Sequence, residues 1–248
     1  KHSDKMKPIE PLKTELSKPS KSGTDKNIPK QYKRRRYYTP YDVSIHNSSN
    51  DCWVTLFHEV LDLTQLLQDN FGSPLVDPIV KLAGKDITYW FDKKTREPKT
   101  CIDVNTGLAS YFLPAGRYLH VPPDGPNSTF DMSFKEPWWK DRQYFIGKLT
   151  KKVRKVKLVN QLTGQEDILE VPCEETIKEI LDRYKEFNAH AASYTWKRLG
   201  RPLEMESTLD QNGIPDETDE FERLEIDQDD WYVPAIHLYF NDDLTVAQ

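Results

Sequence analysis

The sequence predicts an α+β fold built from two domains in series, and two stretches carry this prediction. In residues 51–92, strand-type residues give way to leucines at helical spacing, which is typical of a hairpin followed by short helices. In residues 155–184, two alternating stretches precede apolar residues at i, i+3, i+4 and i+7, which indicates two strands and an amphipathic helix. Because 248 residues suffice for two ordinary domains, we expect an extended arm at 1–36, a first domain at 37–146 and a second domain at 147–248.

The first stretch carries a signal for each of its elements. Two apolar runs are joined by a tight turn at 58–59, which predicts a β-hairpin. Leucines at helical spacing follow and predict a helix. Asp77 as the N-cap, Pro78 in the first turn and Gly84 at the end predict a second helix. Asp86 is placed to cap a further short helix. The apolar positions of the hairpin and first helix are Trp53, Val54, Leu56, Val60, Leu61, Leu63, Leu66 and Leu67.

This order of residues resembles the cytochrome b5 fold. That family has Trp on the first strand, Asp-Leu-Thr before a helix, a His-Pro-Gly-Gly turn and an Ala-Gly-Gly-Asp-Ala-Thr step. The family also holds haem iron between two histidines, and the resemblance places the first ligand on Asn70 and the second near Arg96. Cys101 follows the second position, so Asn70 and Cys101 are implied as the degenerate haem-ligand positions. In this sequence, the Trp, the Asp-Leu-Thr, the turn and the final step of the family correspond to Trp53, 62–64, 70–73 and 83–88, respectively.

Two interpretations stay open for the residues that could replace the missing histidines. Cys101 can offer a thiolate to haem iron, and His120 could reach a pocket if the following segment folds over it. In the competing interpretation, Cys101 is a small buried hydrophobe and His120 is hydrogen-bonded in a loop. His46 is expected to be a capping or surface residue.

A proline-punctuated stretch is expected to extend the first domain. Its pattern predicts two short strands at 108–113 and 117–121. The paired Trp at 138–139 and the apolar run at 144–146 are expected to pack this extension against the domain.

The second stretch resembles ubiquitin along almost its full length. Alternation predicts strands around 155–158 and 169–171, joined by a turn at 162–164. Later strands are expected at 194–200 and 236–238, as in ubiquitin. The fold class implied by both resemblances is therefore a cytochrome b5-like domain followed by a ubiquitin-like β-grasp domain. The helical face comprises Ile177, Ile180, Leu181 and Tyr184.

The functional positions of ubiquitin are absent from the matched sequence. The sequence ends without the Gly-Gly used for conjugation, and Lys197 stands at the position of the surface Ile of ubiquitin. We therefore expect that the chain is not a conjugated modifier. A ubiquitin-pathway scaffold that docks receptor domains around Lys197 and His237 is retained as a hypothesis.

The charge is divided unevenly along the chain. Residues 1–36 hold twelve Lys/Arg and four Asp/Glu, a net of +8, whereas the rest has a net of −13. Residues 204–230 alone hold twelve Asp/Glu and one Arg. A basic arm beside an acidic body predicts contact with an anionic partner. Its candidate partner-binding residues are Lys33, Arg34, Arg35 and Arg36, whose pattern also fits a nuclear signal or a nucleic-acid contact.

The sequence contains no enzyme signature. It has no phosphate-binding glycine loop, no nucleophile motif and no His pair at i, i+4. Three widely spaced cysteines predict reduced thiols inside the cell, and no apolar run is long enough to predict a membrane span. We expect no catalytic residue, no metal site and no signal peptide.

From Tyr37 onward the chain resembles the cytochrome b5 domain-containing protein 1 family. That family is associated with motile cilia and axonemal radial spokes. The resemblance implies a non-enzymatic axonemal adaptor in the cytoplasm and cytoskeleton of the cilium, with radial-spoke subunits as partners. We expect no membrane or nucleic-acid partner, and no bound cofactor because both usual haem-ligand histidines are absent. A haem-binding electron carrier or redox sensor is the alternative. The resembling blocks are 90–92, 94–96, 120–123, 137–139, 191–197 and 238–244.

Overall fold

The computed structural model describes residues 33–102, 104, 107–123, 125–127, 130 and 133–240. Most of the basic arm and the last eight residues lie outside the described residues. Two five-stranded sheets organise the described part, each with its own helices and its own buried core. The predicted α+β class with two domains is confirmed.

The first sheet has the strand order β1-β7-β4-β3-β2, in which β1 and β7 are parallel and the other pairs are antiparallel. A separate hairpin pairs β5 with β6. The elements of this domain are β1 Tyr37–Tyr38, α1 Pro40–Ser44, β2 Asn47–Ser48, β3 Asp51–Leu56, β4 Glu59–Asp62, α2 Thr64–Asp69, α3 Asp77–Lys81, β5 Thr100–Ile102, β6 Ala109–Tyr111 and β7 Phe145–Leu149.

Local chemistry explains the start of this domain. Thr39 and Asp42 form a reciprocal capping box, in which the backbone N–H of each donates to the side chain of the other. The β3–β4 hairpin turns at Phe57 and His58, whose φ angles of 50° and 62° fit a tight two-residue turn. The predicted hairpin is therefore confirmed, but its turn lies at 57–58 rather than at 58–59, because Glu59 already pairs with Leu56 as the first residue of β4.

Helix α3 begins differently from the prediction. Asp77 is its first helical residue and Val76 is the N-cap, with no side-chain hydrogen bond at the cap. The prediction that Asp77 is the N-cap is wrong by one residue, because Pro78 is compatible with either of the first two helical positions. Gly84 lies just beyond the helix with φ of 76°, as predicted for its end. Asp86 accepts the backbone N–H of Thr88 in the following 3₁₀ turn.

The described part of the extension contains one hairpin, whose second strand lies within the predicted strand 108–113 but pairs with an earlier one. β6 pairs with β5, and residues 117–121 form no strand. Tyr118, Leu119 and Val121 are all buried in the core. They lie in the core without a strand partner, so the apolar pattern at 117–121 reflects burial and not strand pairing.

The domain boundary falls a few residues later than 146/147. Strand β7 pairs with β4 and β1 and so completes the first sheet. The second sheet begins only at Val153. The apolar residues 145–146 therefore act as a strand of the first domain rather than as the end of a loop extension.

The second sheet has the order β11-β10-β12-β8-β9, with β8 and β12 parallel at its centre. Its helix α4 packs over the inner face through Ile177, Ile180 and Tyr184. This order of strands with one packed helix is the β-grasp arrangement that the ubiquitin resemblance implied. The elements are β8 Val153–Asn160, β9 Glu166–Pro172, α4 Ile177–Tyr184, β10 Tyr194–Arg198, β11 Arg201–Pro202, α5 Thr218–Arg223 and β12 Ala235–Phe240.

We predict that Gly147→Ala destabilises the first sheet. A Cβ at this position would lie 2.6 Å from Cε2 of Tyr38 and 2.7 Å from the carbonyl oxygen of Arg35. Because the Arg35 atom belongs to the backbone, the strand must shift, and we expect a loss of about 1–3 kcal/mol in the free energy of unfolding. Urea denaturation measures this loss. Gly125→Ala is the control, since no described atom lies within 4 Å of its added Cβ; equal stability of the two variants would contradict the prediction.

Candidate functional site

The residue at the first haem-ligand position serves the end of helix α2. Asn70 is half-buried, and its Nδ2 donates to the carbonyl oxygen of Leu66 at 2.9 Å. Its backbone N–H donates to the same oxygen at 3.2 Å. The side chain therefore satisfies the last turn of the helix. A carboxamide held in this way offers no imidazole-like ligand to iron.

The residues around the second ligand position lie at the surface. The guanidinium of Arg96 sits 5.3 Å from the ring centre of Phe57 and 3.6 Å from Oε2 of Glu59. Cys101 is exposed, and its Sγ lies 3.8 Å from Oγ of Ser110 on the paired strand. The interpretation of Cys101 as a small buried hydrophobe is wrong, because all three residues of β5 are exposed.

His120 is a hydrogen-bonded loop residue, as one of the two interpretations held. Its Nδ1 accepts the backbone N–H of Trp138 at 3.0 Å. Its ring stacks on Phe134 with centroids 4.0 Å apart. His46 is likewise engaged locally, because its ring stacks on Trp53 and its Nδ1 lies 2.6 Å from Oδ1 of Asp51.

Aromatic side chains from the extension occupy the core beside α2 and α3. Tyr118 stacks on Trp90 with ring centroids 4.6 Å apart, and both side chains are fully buried. Trp138 packs edge-on against Phe91 and donates its Nε1 to the carbonyl oxygen of Leu119 at 3.1 Å. Burial raises the pKa of Tyr118 well above its usual value. The same core cluster includes Leu66, Leu67, Val76 and Ile79, which lie on or next to the helices.

The residues present do not fit an axially ligated haem. The two implied positions carry an amide committed to a helix end and an exposed thiol. Within the described ranges, no group of three or more His, Cys, Asp or Glu could hold a metal ion. No haem chemistry is therefore assigned to these residues.

The described end of the basic arm lies along helix α4. Three of the four candidate partner-binding cations pair there with acidic side chains of the same chain, while Arg34 is exposed. The binding of these three cations to another protein would require them to leave α4, and this use of Lys33, Arg34, Arg35 and Arg36 stays a prediction. The pairs are Lys33 with Asp182 at 2.8 Å, Arg35 with Glu186 at 2.5 Å and Arg36 with Glu179 at 2.6 Å.

The acidic partners on α4 are held ionised by these contacts. Burial opposes ionisation of Glu179, but hydrogen bonds from Arg36 and Thr176 hold its pKa below the usual value. Burial also opposes ionisation of Asp182, and Lys185 and Lys33 likewise lower its pKa. Because the folded-state pKa values are depressed, the attraction is present at neutral pH and is lost as the pH falls through those values.

A buried ion cluster joins the two domains. Arg183 of α4 donates from Nε to both carboxylate oxygens of Glu175, at 2.7 and 2.9 Å. Its Nη1 donates to Oδ2 of Asp42 at 2.8 Å, and its Nη2 donates to the carbonyl oxygen of Tyr37 at 3.0 Å. Arg183 and Glu175 are 4% and 2% exposed. We call this set, Arg183, Glu175, Asp42 and the Tyr37 carbonyl, the interdomain clamp.

The clamp keeps its guanidinium charged. Burial opposes the charge on Arg183, but hydrogen bonds and attraction from Glu175 and Asp42 raise its pKa above the usual value. The helix dipole accounts only for the placement of Glu175 just before α4 and of Arg183 in its last turn. No periodicity reveals that a first-domain cap, Asp42, meets a second-domain helix 141 residues later.

The outer face of the second sheet carries a mixed patch. Lys197 lies with its Nζ 4.7 Å from the ring centre of Tyr239, which is 39% exposed. Leu162 in the nearby turn is 71% exposed. A cation therefore occupies the place of the apolar residue that ubiquitin presents, and docking of receptor domains there stays a prediction.

Comparisons with known proteins identify relatives of this chain. The model of the Cytochrome b5-like Heme/Steroid binding domain family matches residues 39–150, a span that includes all of β7. The chain is 52% identical over 212 residues to "Cytochrome b5 domain-containing protein 1" of Xenopus laevis, covering 86% of this chain and 97% of the relative. It is 49% identical over 215 residues to the Homo sapiens protein of the same name, covering 87% and 94%. A solved ubiquitin of Caldiarchaeum subterraneum is 17% identical, covers 36% of this chain and 95% of its own, and has a TM-score of 0.28.

We predict that Arg183→Ala strongly destabilises the protein. The change leaves the carboxylate of Glu175 buried without its cation, and breaking a buried pair from one side costs about 3–5 kcal/mol in unfolding free energy. The double variant Glu175→Leu with Arg183→Met should recover most of this loss, because it removes both buried charges. Thermal and urea unfolding measure both effects.

Lys178→Gln is the matched control for that prediction. Lys178 also lies on α4, and its change removes only an exposed ion pair with Glu206. No resolvable change in stability is therefore expected. A loss for Arg183→Ala no larger than that of the control would contradict a clamp.

We predict that removing the carboxylates of Glu179 and Asp182 releases the segment 33–36. Glu179→Gln with Asp182→Asn leaves the side chains isosteric and abolishes the two ion pairs to the segment, together with the exposed pair between Asp182 and Lys185. If the pairs contribute roughly 1 kcal/mol together, the open population and tryptic cleavage at 33–36 should rise about fivefold. Glu206→Gln, which removes a carboxylate that pairs away from the segment, is the control. Equal cleavage of the double variant and the unmodified chain would disprove the docking of 33–36 on α4.

Proposed function

The chain belongs to the cytochrome b5 domain-containing protein 1 family, and we propose that it is a non-enzymatic adaptor of the motile-cilium axoneme, associated with the radial spokes. In this role it contributes to ciliary motility from the cytoskeleton of the cilium. Its partners are axonemal proteins, with radial-spoke subunits proposed as direct neighbours. No membrane or nucleic-acid contact is part of the proposal.

The interdomain clamp is the observation that carries this proposal. An adaptor must hold two partner-facing surfaces at a fixed separation, and Arg183 ties the helix of one domain to the cap and first strand of the other. A freely tethered pair of domains would not need a buried guanidinium that donates hydrogen bonds from all three of its nitrogens. The docking of 33–36 on α4 adds a second connection across the same boundary.

The chemistry of the site supports a structural role. The positions implied for haem ligands hold an amide engaged by Leu66 and an exposed thiol at Cys101. The two relatives named above, which match over most of the chain, are called domain-containing proteins and not enzymes. None of the helices in the described part of the chain is long and apolar enough to cross a bilayer.

A haem electron carrier or redox sensor is the second candidate. The match to a family described as haem/steroid binding favours it. It requires ligands other than the two family histidines, which makes the spectrum of the purified chain the discriminating measurement.

We predict that the tagged full chain rebinds to detergent-extracted axonemes from cells that lack it, and that disrupting the clamp reduces this binding. The Glu175→Leu, Arg183→Met variant removes the clamp without leaving a buried charge, so the domains stay folded while their relative position loosens. We expect its saturable binding to fall by roughly tenfold, corresponding to about 1.4 kcal/mol. Quantitative sedimentation with the axonemes gives the stoichiometry and the affinity.

The Lys178→Gln, Glu206→Gln variant is the control for axoneme binding, because it removes an exposed ion pair of similar position. It should rebind like the unmodified chain. Failure of the unmodified chain to sediment with axonemes would reject the adaptor role. Equal binding of the clamp variant would reject the requirement for a fixed domain arrangement.

We predict that the purified chain, expressed with added haem, shows no stoichiometric haem absorption band. The amide of Asn70 gives iron no axial nitrogen, and the neighbouring core is filled by Tyr118 and Trp138. Asn70→His is the matched variant: a band only in this variant would mean that space for haem persists without a ligand. A stoichiometric band in the unmodified chain would favour the redox candidate and contradict our assignment.

A further inference from the structure

A cleft that none of the roles above uses opens at one end of the second sheet. It lies where β8 and β12 begin and β10 ends, between that edge and the insertion 210–234. Its volume is about 330 Å³. Half of its lining residues are apolar or aromatic, and the other half are polar or charged, with Lys155 and Asp216 among the charged ones. The apolar half includes Ile168, Phe221, Trp231, Tyr232 and Pro234.

The wall formed by the insertion is fixed in place. Arg154 is buried on β8, and its Nη1 donates to Oδ1 of Asp210 at 2.7 Å. Its Nη2 donates to the carbonyl oxygens of Ile214 and Pro215, at 2.8 and 2.7 Å. Because one guanidinium holds both a side chain and two backbone carbonyls, the insertion is anchored to the sheet and the cleft is pre-formed.

The charges around the cleft define what it can accept. Arg198 lines it, and its buried Nη1 has no hydrogen-bond partner among the described residues. A buried guanidinium N–H without an acceptor is costly, so a ligand that brings an oxygen is favoured. The exposed carboxylates of Glu217 and Asp229 lie in the lining as well. A fitting occupant therefore has an apolar body, an acceptor in its middle and cations beside it.

The arm of this chain contains a segment with these properties. Residues 7–13 read Lys-Pro-Ile-Glu-Pro-Leu-Lys. In a polyproline II helix, with three residues per turn, Pro8 and Pro11 share one face. Grooves lined by aromatic side chains bind such segments, because the extended conformation is already formed. Glu10 would supply the acceptor, and Lys7 and Lys13 would supply the flanking cations.

We propose that the cleft at the end of the second sheet binds residues 7–13 of the chain's own basic arm. Segment 33–36, at the end of the arm nearest the first domain, docks on α4, which covers the inner face of the second sheet. Nineteen residues separate Lys13 from Lys33, and they span up to roughly 60 Å when extended. A domain of this size has a radius of gyration of only about 13 Å, so the arm can pass around the sheet edge.

Covalent linkage favours this occupant over a free peptide. A tethered segment faces the cleft at an effective concentration in the millimolar range when the linker can span the sites. The arm is basic, and the insertion belongs to the stretch 204–230 with its twelve Asp/Glu and one Arg. Attraction between the two is long-ranged at low salt and adds to the contacts inside the cleft.

Hydroxyl-radical footprinting of the full chain tests the proposal, with oxidation of Trp231 and Tyr232 as the readout. We compare the unmodified chain, the Pro8→Ala, Pro11→Ala variant and the Pro19→Ala, Pro29→Ala variant. The two variants lose the same number of prolines from the same arm and keep its charge. Loss of Pro8 and Pro11 should weaken docking by roughly tenfold, so both aromatic residues become more oxidised in that variant alone.

A synthetic peptide of residues 5–14, added in excess to the Pro8→Ala, Pro11→Ala variant, should restore the protection of Trp231 and Tyr232. The same peptide with both prolines replaced by alanine should not restore it. Equal oxidation of the three full-length proteins overturns the proposal. Protection that disappears on dilution together with a dimer, measured by light scattering, assigns the segment to a second copy and also overturns it.

Discussion

Removing a guanidinium from water is unfavourable unless its nitrogens find acceptors, and each of the three nitrogens of Arg183 donates a hydrogen bond, with partners from both domains. Glu175 lies on its own domain, while Asp42 and the Tyr37 carbonyl lie on the other. Separating the domains would leave these groups to be resolvated individually. The relative position of the two sheets therefore depends on the hydrogen bonds that Arg183 donates across the boundary, to Asp42 and to the Tyr37 carbonyl.

The same region shows how one side chain can serve two levels of structure. Asp42 accepts the backbone N–H of Thr39 in the capping box and also accepts from Arg183. The local start of α1 and the interdomain contact consequently stabilise each other. Thr150 adds to this boundary, because its hydroxyl donates to Glu174 at 2.6 Å immediately after β7.

The first domain retains the hairpin and helices of its family while its interior serves packing. Tyr118 and Trp138 come from the extension and lie against Trp90 and Phe91. Aromatic pairs of this kind bury large apolar areas with defined geometry. With Asn70 committed to the end of α2, this interior is consistent with the proposed adaptor role, in which the domain supplies a shaped surface rather than a redox centre.

Charge is arranged so that the chain has internal partners for its basic end. The pairs along α4 place the described part of the arm on an acidic helix face. The proposed docking of 7–13 would extend this principle to the acidic insertion. In both places the cations meet carboxylates of the same chain, which narrows the basic surface open to other proteins.

Local sequence determined the elements whose signals are short-ranged. The leucine stripe of α2, the turn between β3 and β4 and the face of α4 follow from periodicity and turn chemistry that act within a few residues. The two fold classes followed from the order of such elements. The ligand positions Asn70 and Cys101 could be named from the resemblance to the cytochrome b5 fold, because that step requires only alignment along the chain.

Tertiary structure alone decided which distant groups meet. Nothing in the sequence near Arg183 indicates Asp42 as its partner, and nothing near Cys101 indicates that its strand lies uncovered at the surface. Nothing near Tyr118 indicates that it packs against Trp90 in the core instead of lying in the strand predicted at 117–121. The sequence determined the local elements because their forces act between neighbours, whereas burial and charge pairing depend on surfaces that exist only after the chain has folded.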